Sequence, residues 1–252
     1  MIKKNIITDQ VFGSPGYCSD FRLNADELGQ MRAFIEENWL AVLMKSYPEH
    51  VEKFRPKGLA YYHQHSHLIS HETLWVKENR LLSAEQVEQI KQMPFLKGLR
   101  EFFDDFVISE VVYGDTIEKR EEIYWRLVRP HSPSDIGPLH TDKWFHDIVG
   151  EYSTGLYPAG TVTAKVWIPI WCEPEKNGLK IVPDSNQRPW KHRYVNKGGV
   201  EKPQLDEEAE GILIETPPGN MLIFSENTLH GGTLNVGETT RVSVEITLVF
   251  PP

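Results

Sequence analysis

The sequence predicts a mainly β protein with flanking α-helices, in which the strands form a double-stranded β-helix, that is, a jelly-roll or cupin-like barrel. Helical periodicity is confined to the first part of the chain, and short β-rich runs fill the remainder. Clusters of Pro, Gly and Asn separate these runs, which favours antiparallel strands over βαβ units. Because we find no internal repeat or break in composition, we expect a single domain over residues 1–252, with a mainly helical flank (1–105) and a jelly-roll core (106–250).

Helix signals recur along the flank. Asn24 is a candidate N-cap, because acidic residues follow it and apolar residues then recur at helical spacing from Leu28 to Leu43. Ser83 and Gln86 form a capping-box pattern that indicates a second helix start. A further helix is expected after Pro94, since proline is favoured in the first helical turn. Amphipathic helices of this kind bury one apolar face, so we expect a sheet against which they pack.

Short β-rich runs supply that sheet. They comprise residues 106–113, 122–129, 161–171, 179–182, 221–224 and 241–250. Side chains alternate between the two faces of a strand. In the run 161–171, the apolar face is expected to pack under the helices and consists of Val162, Ala164, Val166, Ile168 and Ile170. The opposite face is expected to point into the barrel and carries Thr163, Lys165 and Trp167.

Charge and cysteine content argue against several classes of partner. The 252 residues include 36 acidic and 27 basic side chains, with a formal charge of −9 and no Lys/Arg-rich run. Neither nucleic acid nor a membrane is therefore an expected partner, and no stretch approaches the roughly 18 apolar residues of a membrane span. Cys18 and Cys172 form no CxxC motif, so a reducing cytoplasm is the expected location. The sequence leaves the oligomeric state open.

Residues 137–148, GPLHTDKWFHDI, contain a candidate metal-binding pair. His140 and Asp142 are two positions apart, so in an extended backbone both side chains project from the same side and can meet one ion. The pair needs a third ligand from a distant strand. His230 in FSENTLHGG is the candidate, because the two glycines after it leave room at the backbone. Two imidazoles and one carboxylate are typical of non-haem Fe(II) oxygenases, in which three coordination positions stay open for reactants.

A basic residue downstream of His230 extends this pattern. Arg241 begins the next β-rich run, and Ser243 follows on the same face of the predicted strand. A 2-oxo acid such as 2-oxoglutarate can chelate iron through its keto and C1-carboxylate oxygens, and its far carboxylate needs donors nearby. Arginine offers a permanently charged, bidentate partner that a serine hydroxyl can assist. Arg241 and Ser243 are therefore candidates for binding the co-substrate.

Several segments resemble the phytanoyl-CoA dioxygenase-like family of the Fe(II)/2-oxoglutarate oxygenases. They lie within roughly residues 122–250 and read HTD, NGLKIVPDSN, PPGNMLIFSENTLHGGTLN and RVSVEITLVF. The resemblance implies that His140, Asp142 and His230 bind Fe(II) and that Arg241 anchors 2-oxoglutarate. It also implies that O2 is consumed and that a substrate is hydroxylated, with release of succinate and CO2. In one departure, relatives usually read Pro-Gly-Ser-His where this chain has Pro183-Asp184-Ser185-Asn186, in a loop near the substrate side.

Polar and aromatic residues of the predicted interior are candidates for contacts with ligands. A lysine inside the barrel is unfavourable unless it meets an anion, so Lys165 either contacts the 2-oxo acid or an acidic substrate group, or reaches the surface. Arg126 contacts the substrate or forms a structural ion pair. Trp144 forms a wall of the substrate pocket or belongs to the core. Trp167, on the interior face, is a further candidate for substrate binding.

Two other groups are alternative metal ligands. His146 and Asp147 follow the HTD motif, in a segment where we expect a lid or substrate loop. The run HQHSHLISH (63–71) could align alternate histidines on a strand face as a Zn or Ni site, but no carboxylate or cysteine with ligand spacing accompanies it. We therefore interpret it as a loop or strand edge from which a histidine reaches the substrate. The histidines of this run are His63, His65, His67 and His71.

The expected function is that of a non-haem Fe(II)/2-oxoglutarate-dependent oxygenase that hydroxylates a small polar metabolite or a natural-product intermediate. Two alternatives are kept. A Zn-dependent, cupin-like hydrolase or isomerase would use the same triad and a metal-bound water, but it gives no reason for Arg241 and Ser243. A non-catalytic jelly-roll binding module would have no need of the complete triad.

Overall fold

A computed structural model describes residues 5–103, 105–113, 116–149, 158, 160–197, 200–250 and 252. In this part of the chain the α-helices are α1 (Ile6–Phe12), α2 (Ala25–Ser46), α3 (Val51–Phe54), α4 (His71–Leu74), α5 (Ala84–Lys91), α6 (Pro94–Phe103) and α7 (Asp142–Val149). The strands are β1 (Tyr17–Arg22), β2 (Val107–Ile108), β3 (Glu110–Tyr113), β4 (Thr116–Glu121), β5 (Ile123–Val128), β6 (Val162–Trp171), β7 (Leu179–Ile181), β8 (His192–Lys197), β9 (Val200–Leu205), β10 (Ile212–Ile214), β11 (Asn220–Ser225), β12 (His230–Gly232) and β13 (Arg241–Phe250).

The strands form two main sheets. The larger sheet has six strands in the order β1-β11-β6-β13-β2, with β5 also paired to β13. The smaller sheet has the order β10-β7-β12, and β3–β4 and β8–β9 form separate hairpins. Every strand pairing in the described residues is antiparallel. The predicted mainly β architecture with flanking helices is confirmed.

Two apolar clusters divide the fold into three layers. The larger cluster packs helices against the outer face of the large sheet and includes Trp39 of α2 and Val166 of β6. The smaller cluster lies between the sheets and consists of Trp167, Leu179, Ile181, Ile214, Leu222 and Phe224. Residues 164, 166, 168 and 170 of β6 therefore face the helices, as predicted. Since the larger cluster joins residues from Ile7 to Phe250, it supports the single domain over 1–252, which stays a prediction.

The predicted helix starts are confirmed. At the start of α2, Glu27 N donates to Asn24 Oδ1 at 2.9 Å and Asn24 N donates to Glu27 Oε2 at 2.8 Å. Ser83 and Gln86 form the same reciprocal pair at the start of α5. Pro94 is the first residue of α6. These local signals succeed because an uncapped helix end leaves backbone N–H groups without partners.

Other elements differ from the sequence predictions. Asp142 does not lie in an extended strand but is the first residue of α7. The segment after it, expected to be a loop, is helical because Trp144 and Ile148 share one face and the acidic residue is favoured at the N-terminal end of the helix dipole. The run 106–113 is divided into β2 and β3. No helix in the described ranges is long and apolar enough to cross a membrane.

Candidate metal centre and cavity

The three predicted ligand side chains meet at one point. One ligand atom from each of His140, Asp142 and His230 lies within 4.8 Å of the other two. His230 Nε2 is 3.6 Å from Asp142 Oδ1, and the two imidazole centroids are 4.4 Å apart. Among the described residues, no other group of His, Cys, Asp or Glu side chains comes together in this way. The triad is therefore the candidate metal centre.

Main-chain hydrogen bonds hold the two histidines side by side. His140 N donates to His230 O, and His230 N donates to His140 O, each at 2.9 Å. His140 Nδ1 is 2.8 Å from Pro138 O, and His230 Nδ1 is 3.0 Å from Thr228 O. Each Nδ1 therefore carries the proton, and each Nε2 is left to bind a metal. A Cβ on Gly231 would lie 3.1 Å from Pro138 O, so this glycine permits the close approach.

Asp142 reaches the centre from the start of α7, and Lys165 of β6 faces it. Lys165 Nζ lies 3.7 Å from Asp142 Oδ2 and donates to Thr247 Oγ1 at 2.8 Å. Burial raises the pKa of Asp142, but the charge of Lys165 and the two histidines outweigh it and hold this pKa below its usual range. Burial and the neighbouring His230 lower the pKa of His140 to about 4. At neutral pH Asp142 is thus ionised and His140 is neutral, which are the forms that bind a metal.

Arg241 lies at the start of β13 and is 4% exposed. Its Nη1 donates to Gly178 O at 2.7 Å, and its guanidinium carbon is 5.6 Å from the ring centroid of Trp167. Burial and the nearby charge of Arg126 lower the pKa of Arg241 to about 10, so the group stays charged at neutral pH. Arg241 Nε and Ser243 Oγ are buried without a hydrogen-bond partner in the described part of the chain. Buried donors of this kind fit a bound carboxylate.

A cavity of about 640 Å³ extends from the triad along the interior face of the large sheet. Arg126, Lys165 and Trp167 line it, and the structure therefore brings these three predicted residues together with the triad and Arg241. Ser243 is not a lining residue, although it lies on the Arg241 face of β13. Lys165 is not a surface lysine, because its side chain is buried and paired with Asp142.

Trp144 occupies a different place from the predicted pocket wall. It is buried, but it does not belong to the cavity lining found in the described residues. Its ring stacks on His192 of β8 with centroids 4.2 Å apart, and Tyr194 Oη donates to its carbonyl oxygen at 3.3 Å. Trp144 therefore packs α7 against the β8–β9 hairpin. Because Trp144 is buried and does not line the cavity in the described residues, the geometry favours the core interpretation over direct substrate contact.

Sequence reasoning missed several cavity residues, among them Tyr124, Glu245 and Arg80. Tyr124 of β5 donates a short hydrogen bond to Glu245 of β13, and Glu245 Oε1 is 3.5 Å from Arg126 Nη1. Arg126 is therefore both a cavity residue and a member of an ion pair. Glu245 could have been found, because it continues the alternation of Arg241 on β13. Arg80 also lines the cavity, but it lies in a 3-10 turn where no periodicity marks it.

A polar network joins the helical flank to the turn before His140. Arg129 Nε donates to Asp135 Oδ2 at 2.9 Å, and Arg129 Nη2 donates to Asp135 Oδ1 at 2.7 Å. His71 Nε2 lies 3.5 Å from the same carboxylate, and His71 Nδ1 lies 2.9 Å from Tyr62 Oη. Asp135 also lines the cavity. The network fixes the turn that leads to His140, the first candidate metal ligand.

His146 and Asp147 do not join the triad. His146 Nδ1 lies 3.4 Å from Glu226 Oε2, and His146 lines the cavity. Asp147 is exposed and pairs with Lys143 across one turn of α7, with 3.6 Å between Nζ and Oδ1. His146 is directed at Glu226 and Asp147 at Lys143, and neither belongs to the group of ligand atoms that comes together in the described residues.

The run 63–71 does not form a strand face of histidines. Leu59–Gln64 and Ser66–Leu68 form two 3-10 turns, and the alternation therefore does not align the imidazoles. His63 Nδ1 contacts Thr240 Oγ1 at 3.0 Å, and His71 belongs to the network around Asp135. No metal-binding group is found for this run among the described residues. None of its histidines lines the cavity.

The departure at residues 183–186 lies away from the cavity. Asp184 adopts φ 59°, a left-handed conformation that glycine adopts readily and that aspartate tolerates better than most residues. Asn186 Nδ2 donates to Gly13 O at 2.8 Å. In the described chain neither residue lines the cavity.

A jelly roll that holds two histidines, one carboxylate and a buried arginine beside a cavity defines the class of Fe(II)- and 2-oxoglutarate-dependent non-haem oxygenases. The donor set fits this metal, and the open donors of Arg241 fit the co-substrate. The model of the phytanoyl-CoA dioxygenase (PhyH) family matches residues 12–243, and the chain belongs to this family. Membership of this family favours the oxygenase over the Zn-dependent hydrolase or isomerase and over the non-catalytic binding module. It confirms the jelly-roll prediction.

Solved structures of low sequence identity share the fold. EctD from S. alaskensis with bound Fe has a TM-score of 0.56 and 13% identity, and the match covers 97% of this chain and 76% of EctD. AviO1 from Streptomyces viridochromogenes Tue57 has a TM-score of 0.55 and 13% identity, over 96% of this chain and 93% of AviO1. The non-heme monooxygenase ThoJ, as a Ni complex, has a TM-score of 0.54 and 12% identity, over 97% and 79% of the two chains. A search of curated proteins gives no match.

Proposed function

We propose that this oxygenase hydroxylates a small polar metabolite or a natural-product intermediate. One observation carries the proposal: three metal-ligand atoms within 4.8 Å of one another share a polar cavity with a buried, charged Arg241 whose Nε has no partner in the described residues. A site for a bivalent metal and a site for a dianionic co-substrate are thus adjacent. A third region of the same cavity is left for a substrate.

In this proposal His140, Asp142 and His230 hold Fe(II), each histidine through Nε2. Arg241 binds the far carboxylate of 2-oxoglutarate through a charge-assisted pair, and Ser243 supports it from the next position on the same face. When bound, iron and 2-oxoglutarate supply the oxidising chemistry, with O2 consumed and succinate and CO2 released. The protein orders these groups and excludes bulk water from them.

Lys165 and Trp167 complete the wall around the co-substrate. Lys165 keeps Asp142 ionised and holds the carboxylate in place through a 3.7 Å approach of Nζ to Oδ2. It is also placed to meet an anionic ligand that enters beside Asp142. Trp167 is 1% exposed and lies under the guanidinium of Arg241, so its ring keeps that side chain extended toward the cavity.

The cavity wall supports a polar substrate. A volume of about 640 Å³ is within the usual range of small-molecule sites. Charged side chains from β5, β6 and β13 line it, and an apolar acyl chain would remove their solvation without replacing it. Arg126 is the predicted substrate contact on this wall. We also propose that the protein is cytoplasmic and binds neither nucleic acid nor membranes, in keeping with its formal charge of −9.

The test is metal analysis of protein purified without oxygen, combined with an assay for substrate-independent conversion of 2-oxoglutarate to succinate. We expect about one Fe(II) per chain and slow succinate release that needs both O2 and Fe(II). His140→Ala and His230→Ala should lose bound Fe(II) and succinate release. The matched variant His67→Ala, at an exposed histidine, should retain the bound Fe(II) and the succinate release. Zinc in place of iron, with no succinate release after Fe(II) is supplied, would contradict the proposal.

A further inference from the structure

The positive charges of the cavity wall differ in how they are neutralised. The lining cations are Lys77, Arg80, Arg126, Lys165, Lys202 and Arg241. Half of them lie next to a carboxylate: Lys77 Nζ is 2.7 Å from Glu122, Arg126 Nη1 is 3.5 Å from Glu245, and Lys165 Nζ is 3.7 Å from Asp142. These pairs are internally compensated and leave no net charge for a ligand.

The remaining cations have no carboxylate partner within 4.0 Å in the described residues. Lys202 is exposed at the rim, where water solvates it. Arg241 is the proposed anchor of the far carboxylate of 2-oxoglutarate. Arg80 is then the one cavity cation of the described chain that is neither at the exposed rim, nor within 4.0 Å of a carboxylate, nor assigned to the co-substrate.

Arg80 is fixed in position without being neutralised. Its Nε donates to Trp75 O at 2.8 Å and its Nη1 donates to Trp125 O at 2.7 Å. Both acceptors are neutral carbonyl groups, so the guanidinium keeps its full charge. Burial and the nearby charge of Arg126 lower the pKa of Arg80 to about 10, which leaves it protonated at neutral pH. The conformational entropy of a free arginine side chain is thus already lost before a ligand arrives.

Arg80 and two other cations lie near the aromatic ring of Tyr124. The guanidinium carbon of Arg80 is 5.8 Å from the ring centroid of Tyr124, Lys77 Nζ is 5.3 Å from it and Lys165 Nζ is 6.0 Å from it. Lys77 and Lys165 are each paired with a carboxylate, so Arg80 is the cation of this group that has no carboxylate within 4.0 Å in the described residues. An anionic group bound beside Tyr124 would give Arg80 the ion pair that it lacks. The nearby Glu245 is already engaged by Tyr124 and Arg126 and does not supply this charge.

We propose that Arg80 anchors a carboxylate or phosphate group of the substrate, beside the Tyr124 ring, so that the enzyme selects anionic substrates. The inference rests on the proposed function, because it assigns Arg241 to the co-substrate. It names a chemical class for the substrate and adds Arg80 as a specificity-determining residue. The substrate's reacting carbon then lies between the Arg80 end and the triad end of one continuous cavity.

Titration of simple anions tests the proposal. Protein loaded anaerobically with Fe(II) and saturating 2-oxoglutarate is titrated by calorimetry, in one series with inorganic phosphate and in another with acetate. Because the Arg241 site is filled and the metal centre is the same in each variant, the difference in anion affinity between wild-type protein and Arg80→Gln reports on Arg80. We expect saturable binding of phosphate or acetate to the wild-type protein, weakened about tenfold to a hundredfold in Arg80→Gln, as for loss of a charged hydrogen bond. The stronger ligand of the two indicates whether a phosphate or a carboxylate is preferred.

Two further variants separate binding from structural support. Arg100→Gln is the matched control, because Arg100 also donates to a carbonyl, Phe106 O at 2.9 Å, and lies over an aromatic ring, but outside the cavity. It should leave anion binding unchanged. Arg80→Lys keeps the charge but not both carbonyl bonds. An anion anchor predicts that the lysine variant binds phosphate or acetate much better than the glutamine variant. A structural role predicts that both lose thermal stability and bind anions equally.

The outcomes for the two proposals differ. Failure to bind Fe(II) and 2-oxoglutarate would overturn the proposed function. Normal binding of both, together with no saturable anion binding in wild-type protein, would overturn the role of Arg80 alone. Equal affinity in wild-type protein, Arg80→Gln and Arg80→Lys would do the same. If Arg80→Gln does not fold, two measurements on the other proteins decide the matter. Wild-type protein must bind acetate much more tightly than uncharged acetamide, and the ratio of wild-type to Arg80→Lys affinity for the anion is measured in the same way. Equal binding of acetate and acetamide would overturn the role of Arg80.

Discussion

Replacing Arg241 with glutamine should weaken the binding of 2-oxoglutarate far more than that of the metal. The guanidinium is 4% exposed, and in the described residues its hydrogen bond goes to the neutral Gly178 O and not to a carboxylate. The co-substrate would supply the missing negative charge in a desolvated place. Truncating one partner of such a buried pair costs about 2–5 kcal/mol, which corresponds to a rise in Kd of tens- to thousands-fold. The triad contains none of these atoms, so metal affinity should change little.

The measurement is the KM for 2-oxoglutarate in substrate-independent succinate release, together with its Kd from anaerobic titration of Fe(II)-loaded protein. Arg32→Gln is a matched control. Arg32 donates to Ile170 O at 3.0 Å and lies 5.4 Å from the ring centroid of Trp171, but it is not among the residues lining the cavity. It should lower stability without changing either constant. An unchanged KM in Arg241→Gln would refute the assignment and point to Lys165 as the anchor.

Three further predictions concern the triad, its protonation and the cavity wall. Asp142→Ala should abolish hydroxylation while circular dichroism stays native, and normal product formation would contradict the ligand assignment. Because the pKa of His140 is lowered to about 4 from 6.5, the unfolded chain takes up that proton first as the pH falls, so the metal-free protein should lose stability between about pH 6.5 and 4. Thermal unfolding should show a shallower pH dependence in His140→Phe over this range. Arg126→Ala should change substrate selectivity while uncoupled succinate release persists, and unfolding would instead support a purely structural ion pair with Glu245.

Local signals determined what the sequence could predict about the fold. The capping boxes at Asn24 and Ser83 and the alternation along β6 depend on neighbours within a few residues, and each is present in the structure. Strand β1 was missed because its partner, β11, lies about 200 residues further along the chain and only pairing with it defines the strand. The same reason applies to β12, which is three residues long and is held by β7.

The candidate site was predictable to the extent that its residues share a motif. His140, Asp142, His230 and Arg241 were found from spacing and order. Arg80 lies in an irregular turn of the flank, and only the tertiary fold brings it to the ring of Tyr124. The predicted conformation at Asp142 was wrong, because the argument from positions i and i+2 assumed a strand. The start of α7 nevertheless places the carboxylate beside the two histidines.

The contact of His71 with Asp135, which Tyr62 supports through its own contact with His71, has a consequence for how this barrel can be altered. His71 and Tyr62 both belong to the helical flank, yet they brace the turn that carries His140. Exchanging the whole flank for that of a relative would therefore change two properties at once, the shape of the substrate end and the rigidity of the metal end. A transplant intended to alter substrate range alone would have to retain this brace as a unit. The jelly roll is not a self-sufficient module, because part of its candidate metal centre is supported from outside it.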